Sequence, residues 1–296
     1  MKLAPHDYAG QGPLSEPGRH AGGLARLASE LPTLCAQLQG LLIHYFWLES
    51  YGDEVPRAFD PPRRLGDVQR RSVPEILDGV LRFSDAPLDQ PRQPARRLAA
   101  TCRHFTLLLV SALRQKGVPA RARCGFAGYF VPGEWIDHWI AEVWDAAAGR
   151  WQQVDAQLDA VQRGALQIGF DPLDMPAGAF LNAGQAWQAC VRGDADPARF
   201  GILDMHGWGF IEGNVVRDLL ALDRVEVLPW DGGWGLLAGD RLHRAAPPAD
   251  DPVHALAAAS ARGEASAAQH EGVRLPEGWD FSQAPTLAQL MGQASA

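Results

Sequence analysis

The run at 105–113, Phe-Thr-Leu-Leu-Leu-Val-Ser-Ala-Leu, constrains this chain more than any other segment. It is apolar nearly all round, so as a helix it must be buried on most of its sides. Thr101 supplies an N-cap and puts Cys102 in the first turn. Lys116-Gly117-Val118-Pro119 ends the helix with a cation, a C′ glycine and a following proline. A helix so enclosed needs other elements around it, and the flanking sequence supplies them.

Three strand candidates follow directly. Residues 120–126 alternate small or apolar side chains with Arg121 and Arg123, which predicts a solvated strand face for the two arginines in preference to the alternative, binding of a substrate carboxylate. Residues 138–144 and 151–155 are the next two, and 145–149 has a length that suits a hairpin turn. Upstream, 24–48 has helical periodicity, with Pro32 either starting or breaking it. Residues 53–64 read as a connection and 85–94 as a loop. Ser72-Val73-Pro74-Glu75 is a helix-start signal for a helix to about Phe83. Downstream, 180–190 and 214–222 look helical, 205–210 reads as a loop and 225–228 as a short strand. The expected organisation is a flexible arm at 1–22, a main domain at 23–244 with C-terminal additions, and an Ala/Pro-rich tail with a weak helix at 245–296.

Composition excludes several classes of function. The chain has 296 residues, 47% hydrophobic and 21% charged, with a formal net charge of −8. Without basic runs it lacks the clustered cations that neutralise phosphates, so no nucleic-acid partner is expected. The N-terminal residues hold no apolar signal core, and the apolar stretches at 41–48 and 105–113 are too short or too interrupted to span a bilayer. A cytoplasmic protein, neither secreted nor membrane-embedded, is expected. Cys35, Cys102, Cys124 and Cys190 share no CxxC spacing and should be free thiols in a reducing compartment. No HExxH or similar ligand spacing and no Gly-rich phosphate loop occur, so neither a metal nor another cofactor is expected.

Cys102 and a His–Asp pair are the candidate chemistry. A first-turn cysteine lies near the positive end of the helix dipole and near unpaired N–H groups, which favour the nucleophilic thiolate and can hold an oxyanion. The alternative is a buried, inert thiol. With a turn at 145–148, Glu142 faces Trp151, Ile140 faces Gln153 and His138 faces Asp155. A carboxylate there can fix the imidazole tautomer and stabilise the imidazolium. The alternative is a rim histidine and a turn aspartate with no relation.

The stretch from Thr101-Cys102-Arg103-His104 through Leu113-Arg114-Gln115-Lys116-Gly117-Val118-Pro119-Ala120-Arg121, leading to Gly125-Phe126, resembles the cysteine helix of transglutaminase-like proteins. Asp137-His138-Trp139-Ile140-Ala141-Glu142-Val143-Trp144 is similar to the family's His-x-Trp-x-Glu strand, with Trp directly after the His. Trp151-Gln152-Gln153-Val154-Asp155 is similar to its Trp-x-x-[VLI]-Asp strand. The clear resemblance covers about 98–158. The whole chain also looks like a bacterial group of such proteins, with segments such as Val154-Asp155-Ala156-Gln157-Leu158-Asp159 and Leu203-Asp204-Met205-His206-Gly207. The resemblance implies an α+β, papain-like core: a buried nucleophile helix on an antiparallel sheet, with additional helices. It also implies a catalytic triad of Cys102, His138 and Asp155.

Trp139, Gln157, Trp208 and Asn214 are the candidate substrate-binding residues. Trp139 is placed to line a cleft, Gln157 to orient Asp155, and Trp208 and Asn214 to cover the site with Arg217. A second oxyanion donor is sought near His44 and Trp47, and His104 is read as structural. The expected activity is cysteine-nucleophile acyl transfer on a peptide, protein or small-molecule amide or ester, as hydrolase or transferase. The competing readings are a binding module of the same fold without turnover, and an amide-forming enzyme for a small metabolite.

Overall fold

The computed structural model describes residues 3–239 and 244–289. In chain order its elements are α1 (Ala21–Ala25), α2 (Leu31–Leu41), β1 (Leu42–His44), α3 (Pro61–Val68), α4 (Val73–Leu81), β2 (Leu98–Ala100), α5 (Cys102–Gln115), β3 (Ala120–Ala127), β4 (Trp135–Asp145), β5 (Arg150–Val154), α6 (Ala160–Ala165), β6 (Phe180–Asn182), α7 (Ala183–Arg192), β7 (Phe200–Ile202), β8 (Met205–His206), α8 (Trp208–Leu222) and α9 (Val253–Ala261). The fold is α+β, as expected, and its sheet is mixed.

Local chemistry sets several of these boundaries. Pro32 sits in the first turn of α2, so it starts that helix and splits the predicted 24–48 run. Ser72 and Glu75 form a reciprocal cap on α4: Glu75 accepts the Ser72 N–H at 2.8 Å and Ser72 Oγ accepts the Glu75 N–H at 3.4 Å. The predicted connection at 53–64 instead enters α3, capped by Asp60 with prolines in its first turn. Helix α8 begins at Trp208, earlier than the predicted 214, after Gly207 turns the chain at φ +96°. Residues 225–228 form no strand.

The described residues divide into two compact units. The first comprises 4–121 and 140–176, and α5 is its centre. Helices α1, α2 and α4 pack on α5, and every residue from Cys102 to Arg114 is buried. Residues 4–20, expected as a loose arm, are fastened to it. Tyr8 is fully buried with its ring edge-on to Trp151 at 5.5 Å. Ser111 Oγ donates to the Ser15 carbonyl at 2.6 Å, and Arg114 donates to Ser15 Oγ at 2.9 Å. Strand β1 runs parallel to β2 and sets His44 opposite Ala100. Strand β5 pairs antiparallel with 141–145 of β4.

The second unit comprises Leu3, 122–139 and the described residues from 177 onward. Its strand order is β6-β3-β4-β7-β8, with β6 antiparallel to β3, β7 parallel to β4, and β8 antiparallel to β7. Helices α7, α8 and α9 pack on one another. At Gly184 α7 approaches the backbone of α9 closely: a Cβ there would lie 2.1 Å from the Ala257 carbonyl oxygen. The segment expected as an Ala/Pro-rich tail therefore supplies core residues, among them Val253, Leu256 and Ala257. The part of that tail at 290–296 lies outside the described residues.

The arginines of β3 are not solvated. In the first unit Arg121 pairs with Glu142 at 2.7 Å and lies over the Trp151 ring. In the second unit Arg123 pairs with Asp218, both buried. The alternation along β3 reflects buried ion pairs whose acidic partners come from distant segments, because a buried charge needs a partner.

Candidate active site

Strand β2 ends at Ala100, and the chain turns at Thr101 into α5, which begins at Cys102. His104 closes this end of the helix: its Nδ1 accepts the Thr101 N–H at 3.2 Å, with Thr101 Oγ1 2.9 Å from the same nitrogen. Burial, then the neighbouring Arg103 charge, holds the imidazole of His104 well below its usual range. It is therefore a neutral structural ring, as its position on the helix predicts. Cys102 is 6% exposed. His44, opposite Ala100, accepts the Phe46 N–H on Nδ1 at 3.3 Å.

Asp155 follows β5 and is buried. Its backbone N–H donates to the Pro172 carbonyl at 2.8 Å, and its Oδ1 accepts the Gln157 N–H at 3.0 Å. Cys35 is close enough to feel its charge: burial first, then Asp155, pushes the Cys35 thiol up to about 12. Burial, then Asp196, does the same for Cys190, also to about 12.

His138 lies on β4 in the second unit and is 2% exposed. The Phe130 ring sits 4.9 Å from its imidazole at 69°, and Tyr129 6.0 Å away at 84°. The preceding residue, Asp137, is clamped by α8: Asn214 Nδ2 donates to Asp137 Oδ1 at 2.7 Å. Burial raises the Asp137 carboxyl above its ordinary value, opposed by the Asn214 hydrogen bond and the charges of Arg217 and His138.

The predicted hairpin register is corrected. Asp145 pairs with Arg150, and the turn is 146–149, with Gly149 at φ +64°. Asp145 Oδ1 accepts the N–H groups of Ala147 and Ala148, at 2.9 and 3.0 Å, and so stabilises the turn at that position. Glu142 consequently faces Gln153 rather than Trp151, a shift of two residues. The ladder ends at Ala141 and Val154, and His138 does not face Asp155 in it. An even shift leaves each side chain on its predicted face of the strand.

The expected substrate contacts are mostly spent inside the protein. Trp139 is 1% exposed. Gln157 is buried, and Gln157 Nε2 donates to Gln162 Oε1 at 2.8 Å. Its backbone rather than its side chain engages Asp155. Asn214 is buried on Asp137. Trp208 is half-buried, edge-on to Trp187 at 5.1 Å. The sequence did not signal a cavity of about 650 Å³ in the second unit, walled by Val131, Ile136 and Leu203 and by the ion pair of Arg199 with Glu134. Ile136 shares its face of β4 with His138, two residues on. Among the described residues no cluster of His, Cys, Asp or Glu could hold a metal, and no helix is long and apolar enough to cross a membrane.

The α+β fold and the buried helix that begins at a cysteine are consistent with a superfamily of cysteine-based acyltransferases and hydrolases. Residues 80–156 match the model of the transglutaminase-like superfamily, so this segment is similar to that superfamily's core. No curated protein and no solved structure matches it.

Proposed function

We propose that the protein is a cysteine-nucleophile acyl-transfer enzyme with Cys102 as nucleophile, His138 as general base and acid, and Asp155 as the carboxylate that orients His138. The observation that carries this reading is the place of Cys102 at the head of a helix buried from Cys102 to Arg114, within the segment matched to the superfamily. Cys102 Sγ attacks the carbonyl carbon of an amide or ester as its proton passes to His138. The imidazolium protonates the departing amine or alcohol as that bond breaks, leaving a thioester. Water or an amine then attacks the thioester, gives its proton to His138, and the thiolate departs. The two outcomes use the same three residues, so the substrate is a peptide, protein or small-molecule amide or ester. Four free thiols suit a reducing, cytoplasmic setting.

The test is the pH dependence of iodoacetamide labelling at Cys102, read by mass spectrometry in the wild type and in His138→Ala. Rapid labelling near pH 6 that the variant loses supports the reading. Labelling that follows an ordinary thiol, ionising near pH 8.5, sinks it and favours a binding module of the same fold.

A further inference from the structure

The turn 155–159 is tied by its backbone at both ends, the Asp155 N–H to the Pro172 carbonyl and the Asp159 carbonyl to the Arg163 N–H of α6, and side chains from other parts of the first unit hold what lies between. Asp155 Oδ1 takes the Gln157 N–H at 3.0 Å, so the carboxylate is oriented by the backbone of Gln157. Gln157 is in turn gripped at two points by Gln162, which is fully buried on α6. Gln162 Oε1 accepts Gln157 Nε2 at 2.8 Å, and Gln162 Nε2 donates to the Gln157 carbonyl at 3.2 Å. Behind it stands Tyr51, whose hydroxyl lies 3.3 Å from Gln162 Nε2 and donates to Asp159 Oδ2 at 2.6 Å. Gln39 Nε2 holds the Ala156 carbonyl at 3.0 Å.

The amide of Gln162 suits this place chemically. It offers an acceptor and a donor at once, and the turn needs both: an acceptor for the Gln157 side chain and a donor for its carbonyl. A carboxylate there would supply only acceptors. Burial, then the bond to Asp159, pushes the Tyr51 hydroxyl above its usual range, so it stays a donor across the working pH.

We infer that Gln162, backed by Tyr51, is a positioning residue that fixes the Asp155 carboxylate through Gln157. This rests on the reading of Asp155 as the orienting carboxylate of the triad. Its role separates from simple support of the turn through the pH profile of Cys102 labelling, which depends on how well Asp155 holds His138.

The experiment labels the full-length wild type, Gln162→Leu and Gln162→Glu with iodoacetamide across pH 5–9, with melting temperatures measured in parallel. In Gln162→Leu, Cys102 labelling at pH 6 falls about tenfold, the equivalent of one pKa unit, while the protein still melts cooperatively. Gln162→Glu recovers part of that rate at low pH, where the introduced carboxyl is protonated and regains a donor. A fast wild type whose profile Gln162→Leu leaves unchanged overturns the inference and leaves the triad standing. A wild type that labels like an ordinary thiol overturns the triad, and this inference falls with it. If Gln162→Leu does not fold, Tyr51→Phe, which removes a single hydroxyl, gives the same comparison, with a smaller drop expected in the same direction and no change overturning the inference.

Discussion

Arg123 meets Asp218 through two parallel hydrogen bonds of 2.9 Å, with both side chains almost wholly out of solvent. Asp218 Oδ1 also accepts the Cys124 N–H, and Oδ2 accepts the Ser260 hydroxyl, so one carboxylate joins β3, α8 and α9. Removing one partner of such a pair leaves an uncompensated buried charge. Asp218→Ala should cost about 3–5 kcal/mol, measured by urea denaturation. A loss under 1 kcal/mol would contradict the role assigned to this carboxylate.

Gly184→Ala tests the close approach of α7 and α9. The new Cβ would lie 2.1 Å from the Ala257 carbonyl oxygen and 2.4 Å from the Ala261 nitrogen. Both are backbone atoms, which cannot swing aside as a flexible side chain can. The helices must separate, at a cost of about 3 kcal/mol. Thermal melts should show the loss, and an unchanged melting temperature would mean that the helices part freely.

Asp137 gives the protein a pH dependence of definite sign. Its folded carboxyl is raised above the ordinary 3.8, chiefly by burial. The folded state therefore binds more protons than the unfolded state just above pH 4, and stability contributed by this group falls as pH rises through that window. Asp137→Asn keeps an acceptor for Asn214 and removes the titration. Its stability relative to wild type should improve from pH 4 toward neutrality; parallel curves for the two proteins would refute this.

The four thiols should separate by reactivity. With their thiols pushed up to about 12 by burial and a nearby carboxylate, Cys35 and Cys190 should resist iodoacetamide in the native protein at pH 8. Denaturation should expose both to labelling. Rapid native labelling of either would show that its surroundings open readily.

Sequence patterns carried α5 with its caps, the strands around it and the α+β class, because those depend on local signals: an N-cap, a C′ glycine, an apolar run. The hairpin register turned on one backbone choice, the left-handed Gly149 that sets the four-residue turn one position further along the chain. The alternation of β3 was readable but not its partners, since Asp218 lies 95 residues from Arg123. Gln162 carried a partial signal: Asp159-Ala160-Val161-Gln162 has the D-x-x-Q spacing of a helix start. Asp159 does cap α6, but nothing in that spacing says that the Gln162 side chain turns to Gln157.

The second unit is assembled from pieces made at different times. The segment 122–139 is synthesised early, whereas β6, β7 and α8 come only after the chain has returned to the first unit for 140–176. Asp137 waits 77 residues for Asn214, about ten seconds at ordinary rates of translation. Through that interval β3 and the first half of β4 have no β6 or β7 to pair with. The nascent chain therefore has a window in which the strand bearing His138 presents unpaired edges, and a chaperone or a stalled ribosome would meet this protein at that point.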